Sequence, residues 1–128
     1  MSTAKPLSGI RVVELGQLLA GPFTGAILGY FGAEVIKIEP PGGDPLRQWR
    51  EVHNGTSFWY RSLGRNKKSV VLDLKTEKGR DVTRRLLKTA DVVIENFRPG
   101  TMEKWALGPA DIKLDNPGLI YARISGYG

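Results

Sequence analysis

The chain has 128 residues, a length that suits one domain or part of one, and its 41% hydrophobic and 25% charged residues are too apolar for disorder. It has no cysteine and one histidine, His53, which excludes disulfides, thiolate metal sites, Fe–S clusters, a cysteine nucleophile and a histidine cluster for a metal. The net charge of +6 is concentrated in residues 45–90, where twelve Lys and Arg face four acids; this points to an anionic partner such as nucleic acid, a phosphorylated cofactor or a membrane surface, against the plainer reading of a solvated basic face.

Residues 1–9 lack the apolar core of a signal peptide. No apolar run approaches the ~18 residues needed to cross a membrane. The expectation is a cytoplasmic protein without a membrane partner. Ile10–Leu15 is a short β-rich run between Gly9 and Gly16 and is expected to be the first strand. A turn, Gly16–Pro22, leads into a helix predicted from Pro22 to about Phe31 and stopped by Gly32. Residues 34–39 read as the second strand, ended by Pro40-Pro41-Gly42-Gly43. Residues 40–66 form a long segment holding Phe58, Trp59 and Tyr60, and segments of that length are usually functional or partly structured.

The third strand is expected at 69–73 and the fourth at 91–95, both nearly continuous apolar runs of the kind covered on both faces. Between them Thr76 caps a helix predicted over 77–88. Short helical pieces fit 101–107 and 109–115, and a fifth strand fits 119–124. Strands alternating with helices predict an α/β fold, a Rossmann-like parallel sheet with helices on both faces. Gly128 follows a strand directly, so residues 1–128 are expected to be an incomplete region of a longer chain.

The turn after the first strand lies where such folds bind phosphate, at a helix N-terminus. It does not match Gly-x-Gly-x-x-Gly or the P-loop, so Glu39, placed like a ribose-binding acid, is weak support for a dinucleotide. The basic stretch Arg61–Ser69 after the aromatic trio suits one nucleotide of a cofactor or single-stranded nucleic acid, although no nucleic-acid motif is present. Asp73, Asp91 and Glu95 sit at strand ends, where acids usually cap backbone N–H groups. Ser125-Gly-Tyr-Gly is not a hydrolase elbow. His53 is expected to be exposed in a loop.

Six segments in order resemble the class III CoA-transferase family, which includes formyl-CoA transferase and crotonobetainyl-CoA:carnitine CoA-transferase. They are Pro6–Leu15 with Ala20-Gly-Pro22, Leu28–Pro40, Arg65–Ser69, Leu72–Lys75, Ala90–Gly100 and Asn116–Gly128. The resemblance implies the N-terminal CoA-binding region of an enzyme that moves CoA from an acyl-CoA to a free carboxylic acid, in an interlocked homodimer and without a metal. It implies an Asp nucleophile beyond Gly128, an aspartyl-CoA intermediate, no catalytic residue within this stretch, and inactivity of the stretch alone.

The resemblance also places the thioester end of CoA at Gln17, Leu19 and Ala20. Leu19 stands where family members often carry a polar residue. Adenine and ribose fall at Leu72, Asp73, Leu74 and Lys75. Asn96, Phe97 and Arg98 add contacts, and Lys104 pairs with phosphate. An Arg that some relatives carry after the second strand is Pro40 here, and the expectation is that this contact is either lost or supplied by Arg47. The α-methylacyl-CoA racemases look like the same fold with different chemistry, proton transfer at the α-carbon; the long 40–66 segment and Glu95-Asn96-Phe97 favour the transferase. A non-catalytic nucleotide or nucleic-acid binding module is the remaining alternative.

Overall fold

The computed structural model describes residues 4–128; Met1–Thr3, the start of the stretch 1–9 read above, lie outside them. Five strands form one sheet: β1 (Arg11–Glu14), β2 (Glu34–Glu39), β5 (Lys67–Val71), β6 (Val92–Glu95) and β7 (Ile120–Arg123). A separate antiparallel pair, β3 (Val52–His53) and β4 (Thr56–Ser57), lies within the long segment. The five-stranded order is β5-β2-β1-β6-β7 and every pair is parallel. The chain starts at the centre of the sheet, runs to one edge, returns to the centre and runs to the other. The order therefore reverses between β1 and β6, and in open α/β sheets ligands bind beyond the carboxyl ends of the strands at such a point.

Helices cover both faces, as expected from the alternating pattern. On one face α3 (Glu77–Leu87), α4 (Thr101–Lys104) and α5 (Pro109–Lys113) bury Leu87, Met102 and Ile112 against Val13, Leu15, Ile38 and Val93. On the other, α1 (Ala20–Tyr30) sets Leu28 beside Val12, Val35 and Ile94. The strand period of two divides the neighbours: Val13 and Leu15 serve the first face, Val12 and Glu14 the second.

Several boundaries differ from the expectation. The third strand of the sheet spans 67–71, not 69–73, and it forms an edge. Its residues are mostly exposed or half-buried, so the two-faced burial expected of it is found only in the fourth, β6, with Val93, Ile94 and Glu95 buried. Lys68, whose side chain is exposed, puts a charge on that edge, which discourages pairing with another chain. α1 starts at Ala20, which leaves Pro22 in the first turn where no N–H is lost. Thr76 caps α3 as expected, its Oγ1 accepting from the Gly79 N–H at 3.0 Å. Residues 40–66 are well structured: a 3₁₀ turn (Pro45–Gln48), the β3–β4 pair and α2 (Phe58–Leu63), capped by Ser57. Phe58 and Trp59 are exposed, and so is His53.

Candidate functional site

At the carboxyl ends of the central strands the chain leaves a cleft lined by Leu15, Gln17, Ile38, Pro40, Leu72, Asp73, Leu74, Lys75, Phe97 and Trp105. Five of the expected ligand residues meet here, from the turns after β1 and β5, and Phe97 joins them from the turn after β6. The floor is apolar: Leu74 is buried, and Phe97 meets Trp105 edge-on with ring centroids 5.3 Å apart. Asp73 Oδ1 accepts from the Lys75 N–H at 3.0 Å, and its carbonyl accepts from Thr76 Oγ1 at 2.8 Å, so the Leu72–Lys75 turn is fastened to the start of α3.

The remaining expected residues are elsewhere. Leu19 and Ala20 line a second, apolar groove with Phe23, Phe58, Trp59, Ser62 and Leu63. Arg98 and Lys104 are exposed, as is Lys75 at the cleft. Asn96 faces the turn after β1: its Oδ1 accepts from the Gln17 N–H at 2.7 Å and its Nδ2 donates to the Gln17 carbonyl at 2.9 Å. This close approach explains two glycines. A Cβ at Gly16 would lie 2.7 Å from Asn96 Oδ1 and 2.8 Å from the Gly21 Cα, and one at Gly21 would lie 2.8 Å from the Gly16 Cα and 3.1 Å from Asn96 Oδ1. Leu18 sits at φ +62°, a conformation that costs an L-residue about 1–2 kcal/mol.

Beneath this turn lies a layer of buried charge that sequence inspection passed over. Lys37 Nζ donates to Glu14 Oε1 at 2.8 Å and to the Gly16 carbonyl at 2.9 Å, and it stands 2.8 Å from Asp44 Oδ2. Lys67 Nζ stands 2.6 Å from Glu14 Oε2 and donates to the Pro22 carbonyl at 2.7 Å. Burial draws the Lys67 ammonium below its usual range, against the opposing pull of Glu14. Two ammoniums and two carboxylates balance in a region closed to water. The signal was available in part: Glu14 and Lys37 interrupt strands whose neighbours are apolar, and the parallel register that sets them side by side is given by the fold.

Glu39 continues this layer. It accepts from Asp44 N–H and Arg47 Nε at 2.7 Å each, Arg47 Nη2 at 2.8 Å, Tyr60 Oη at 2.7 Å and Ser69 Oγ at 2.6 Å. Burial alone would raise its pKa, but the bonds from Arg47, Ser69, Tyr60 and the Asp44 N–H together hold the carboxyl far below the carboxylate range. Burial and the adjacent Glu39 push the Tyr60 phenol up. Glu39 is thus an internal anchor. Arg47, one of the two alternatives for the contact absent at Pro40, is engaged internally. Its guanidinium is committed to Glu39 and lies over the Tyr60 ring, 3.8 Å from the centroid. Glu95 behaves as a strand-end cap, accepting from the Phe97 N–H at 2.9 Å, and also binds Arg123 Nε at 2.7 Å.

Residues 7–128 match the model of CoA-transferase family III. Succinyl-CoA–D-citramalate CoA-transferase of Chloroflexus aurantiacus is 53% identical over 126 residues, covering 97% of this chain and 31% of that protein. Human succinyl-CoA:glutarate CoA-transferase is 44% identical over 130 residues, covering 100% of this chain and 30% of that protein. The crystal structure of a CAIB/BAIF family protein from Brucella suis superposes with a TM-score of 0.92 at 43% identity, covering 98% of this chain and 35% of that one. The chain spans about a third of the length of the relatives it matches. With the family's segments in register from residue 7 to residue 128 and the same fold in a solved relative, this chain belongs to CoA-transferase family III.

Proposed function

We propose that this chain supplies the CoA-binding region of an acyl-CoA:carboxylate CoA-transferase. The observation that carries the reading is the cleft at the switch point, where Gln17, Leu72–Lys75 and Phe97 converge from three separate turns. Leu74 and Phe97 offer an apolar face for adenine, and in this reading Asp73, in the same cleft lining, binds the ribose. CoA carries a pyrophosphate and a ribose phosphate, which need cations at the mouth. In this reading the exposed Lys75, Arg98 and Lys104 supply them. Gln17 in the cleft, with Leu19 and Ala20 just beyond it, takes the thioester end, and Asn96 backs that turn.

The transfer breaks the thioester C–S bond of the donor and forms a C–S bond at the acceptor carboxylate carbon; one oxygen of the acceptor carboxylate ends on the donor acyl carbon, so the donor leaves as its free carboxylate. In this reading the attacking Asp carboxylate and its aspartyl-CoA intermediate belong to residues outside 1–128, in a homodimer. Residues 1–128 alone then bind CoA without transferring it, because covalent transfer needs a placed carboxylate and donors to its oxyanion. Two relatives are named for succinyl-CoA, which makes it the first donor to test. Incubating the intact protein with succinyl-CoA and a panel of dicarboxylates, and following new CoA esters by mass, is expected to show transfer. Exchange of the α-hydrogen of a branched acyl-CoA without transfer would replace this reading with racemase chemistry.

A further inference from the structure

Four backbone groups in the turn after β1 are each held by a side chain from another part of the chain. The Gly16 carbonyl accepts from Lys37 Nζ, at 2.9 Å. The Gln17 N–H and carbonyl are both taken by the Asn96 amide, at 2.7 and 2.9 Å. The Leu18 N–H donates to Asp44 Oδ1 at 3.1 Å. Turn backbone at a sheet end is normally left to water. Here the turn is fastened from β2, from the loop after β2 and from the end of β6. The fastening retains Leu18 in a left-handed conformation that loop backbone would otherwise relax.

The tethers also brace one another. Lys37 stands 2.8 Å from Asp44 Oδ2 and donates to Glu14, and Asp44 Oδ1 also accepts from the Leu46 N–H at 2.9 Å. Lys37, Glu14 and Asp44 are fully buried. None of the three reaches the cleft lining, whereas Gln17 does.

We propose that Asn96, Asp44 and Lys37 are positioning residues that act through the Gly16–Leu18 backbone, presenting Gln17 at a fixed place for the reacting thioester, with Asn96 serving the turn and not the CoA molecule. The inference rests on the reading of Gln17 as the thioester-end group. A misplacement of about 1 Å at a reacting centre reduces rate on the order of a hundredfold without requiring weaker binding. Asn96→Ala therefore lowers kcat on the order of a hundredfold and leaves KM for the CoA ester within about threefold.

The test measures kcat and KM of the intact protein for Asn96→Ala and Asp44→Asn, together with amide hydrogen exchange at Gln17, Leu18 and, as a core control, Val13. Asn96→Ala is expected to speed exchange at Leu18, whose own acceptor is Asp44, by about tenfold or more while Val13 is unchanged. Asp44→Asn keeps an acceptor for Leu18 but weakens the bond and the contact with Lys37, and it gives the same kinetic pattern in milder form. If Asn96→Ala does not fold, Asp44→Asn decides the question alone. A raised KM with kcat unchanged overturns the proposal, and so does equal acceleration of Leu18 and Val13, which marks a purely global effect. If the unsubstituted protein turns over no CoA ester, the functional reading fails and the exchange pattern still decides whether the turn is held as one unit.

Discussion

Lys37→Met tests the buried charge layer most sharply. The substitution keeps an unbranched side chain one atom shorter and removes an ammonium that contacts Glu14, Asp44 and the Gly16 carbonyl at 2.8–2.9 Å, with 1% of the Lys37 side chain exposed. Two ammoniums against two carboxylates become one against two, with no water to screen the excess. Removing one partner of a buried pair costs about 3–5 kcal/mol. That is a large share of a domain stability of about 5–15 kcal/mol. With a urea m-value of about 1–3 kcal/mol/M, the unfolding midpoint falls by at least about 1 M. Adding Asp44→Asn restores one against one while keeping an acceptor for the Leu18 and Leu46 N–H groups. The double variant is therefore less destabilised than the two single losses combined, by about 0.5–3 kcal/mol. Urea titration followed by circular dichroism measures all four proteins. A Lys37→Met loss below about 1 kcal/mol, or strict additivity, would refute the argument that this layer is closed to water and electrostatically coupled.

Glu39→Gln removes the carboxylate that Arg47, Tyr60 and Ser69 share, and it should cost about 1.5–3 kcal/mol at neutral pH in the same titration. Because the folded-state pKa of Glu39 lies below its unfolded value near 4.3, its contribution is fully present above that pH and is lost as pH falls toward the folded value. The protein thus loses stability below about pH 4–5, and Glu39→Gln shows a shallower acid slope; identical slopes contradict the assignment. Gly25→Ala sets a methyl group into the Glu14 carboxylate and should destabilise by about 1–3 kcal/mol despite the helix-propensity gain of about 1 kcal/mol, as thermal unfolding would show. Lys75→Ala, Arg98→Ala and Lys104→Ala should each weaken CoA by less than about 1 kcal/mol, since all three are exposed. Calorimetry should find the triple variant losing its preference for CoA over dephospho-CoA, and a retained preference would return the three to a solvated surface.

The architecture was legible because strand and helix periods alternate cleanly and because glycine and proline punctuate them. Ligand positions on the turns after β1, β5 and β6 followed from the family pattern, and the fold brings most of them to one cleft. The misjudged parts share a cause, which is that single-residue patterns do not say where a strand sits in the sheet. The run Ser69–Asp73 looks doubly buried, yet β5 is an edge and starts two residues earlier at Lys67. Arg47 looks like a free cation eight residues after Glu39, and only the 3₁₀ turn folds it back onto that carboxylate. Trp105, a wall of the cleft, gave no signal as part of a short helical piece. Glu14 and Lys37 are each the fourth residue of their strands; their place among apolar neighbours was a signal, but the cover that α1 and residues 40–66 supply over them is a tertiary property.

A crystal structure of the protein with CoA bound tests the central claim most directly. The account predicts adenine against Leu74 and Phe97, phosphates within reach of Lys75, Arg98 or Lys104, and the sulfur end at Gln17 beside Leu19 and Ala20. CoA lying instead with its adenine in the apolar groove of Phe23, Phe58 and Trp59, and the switch-point cleft empty, would contradict it.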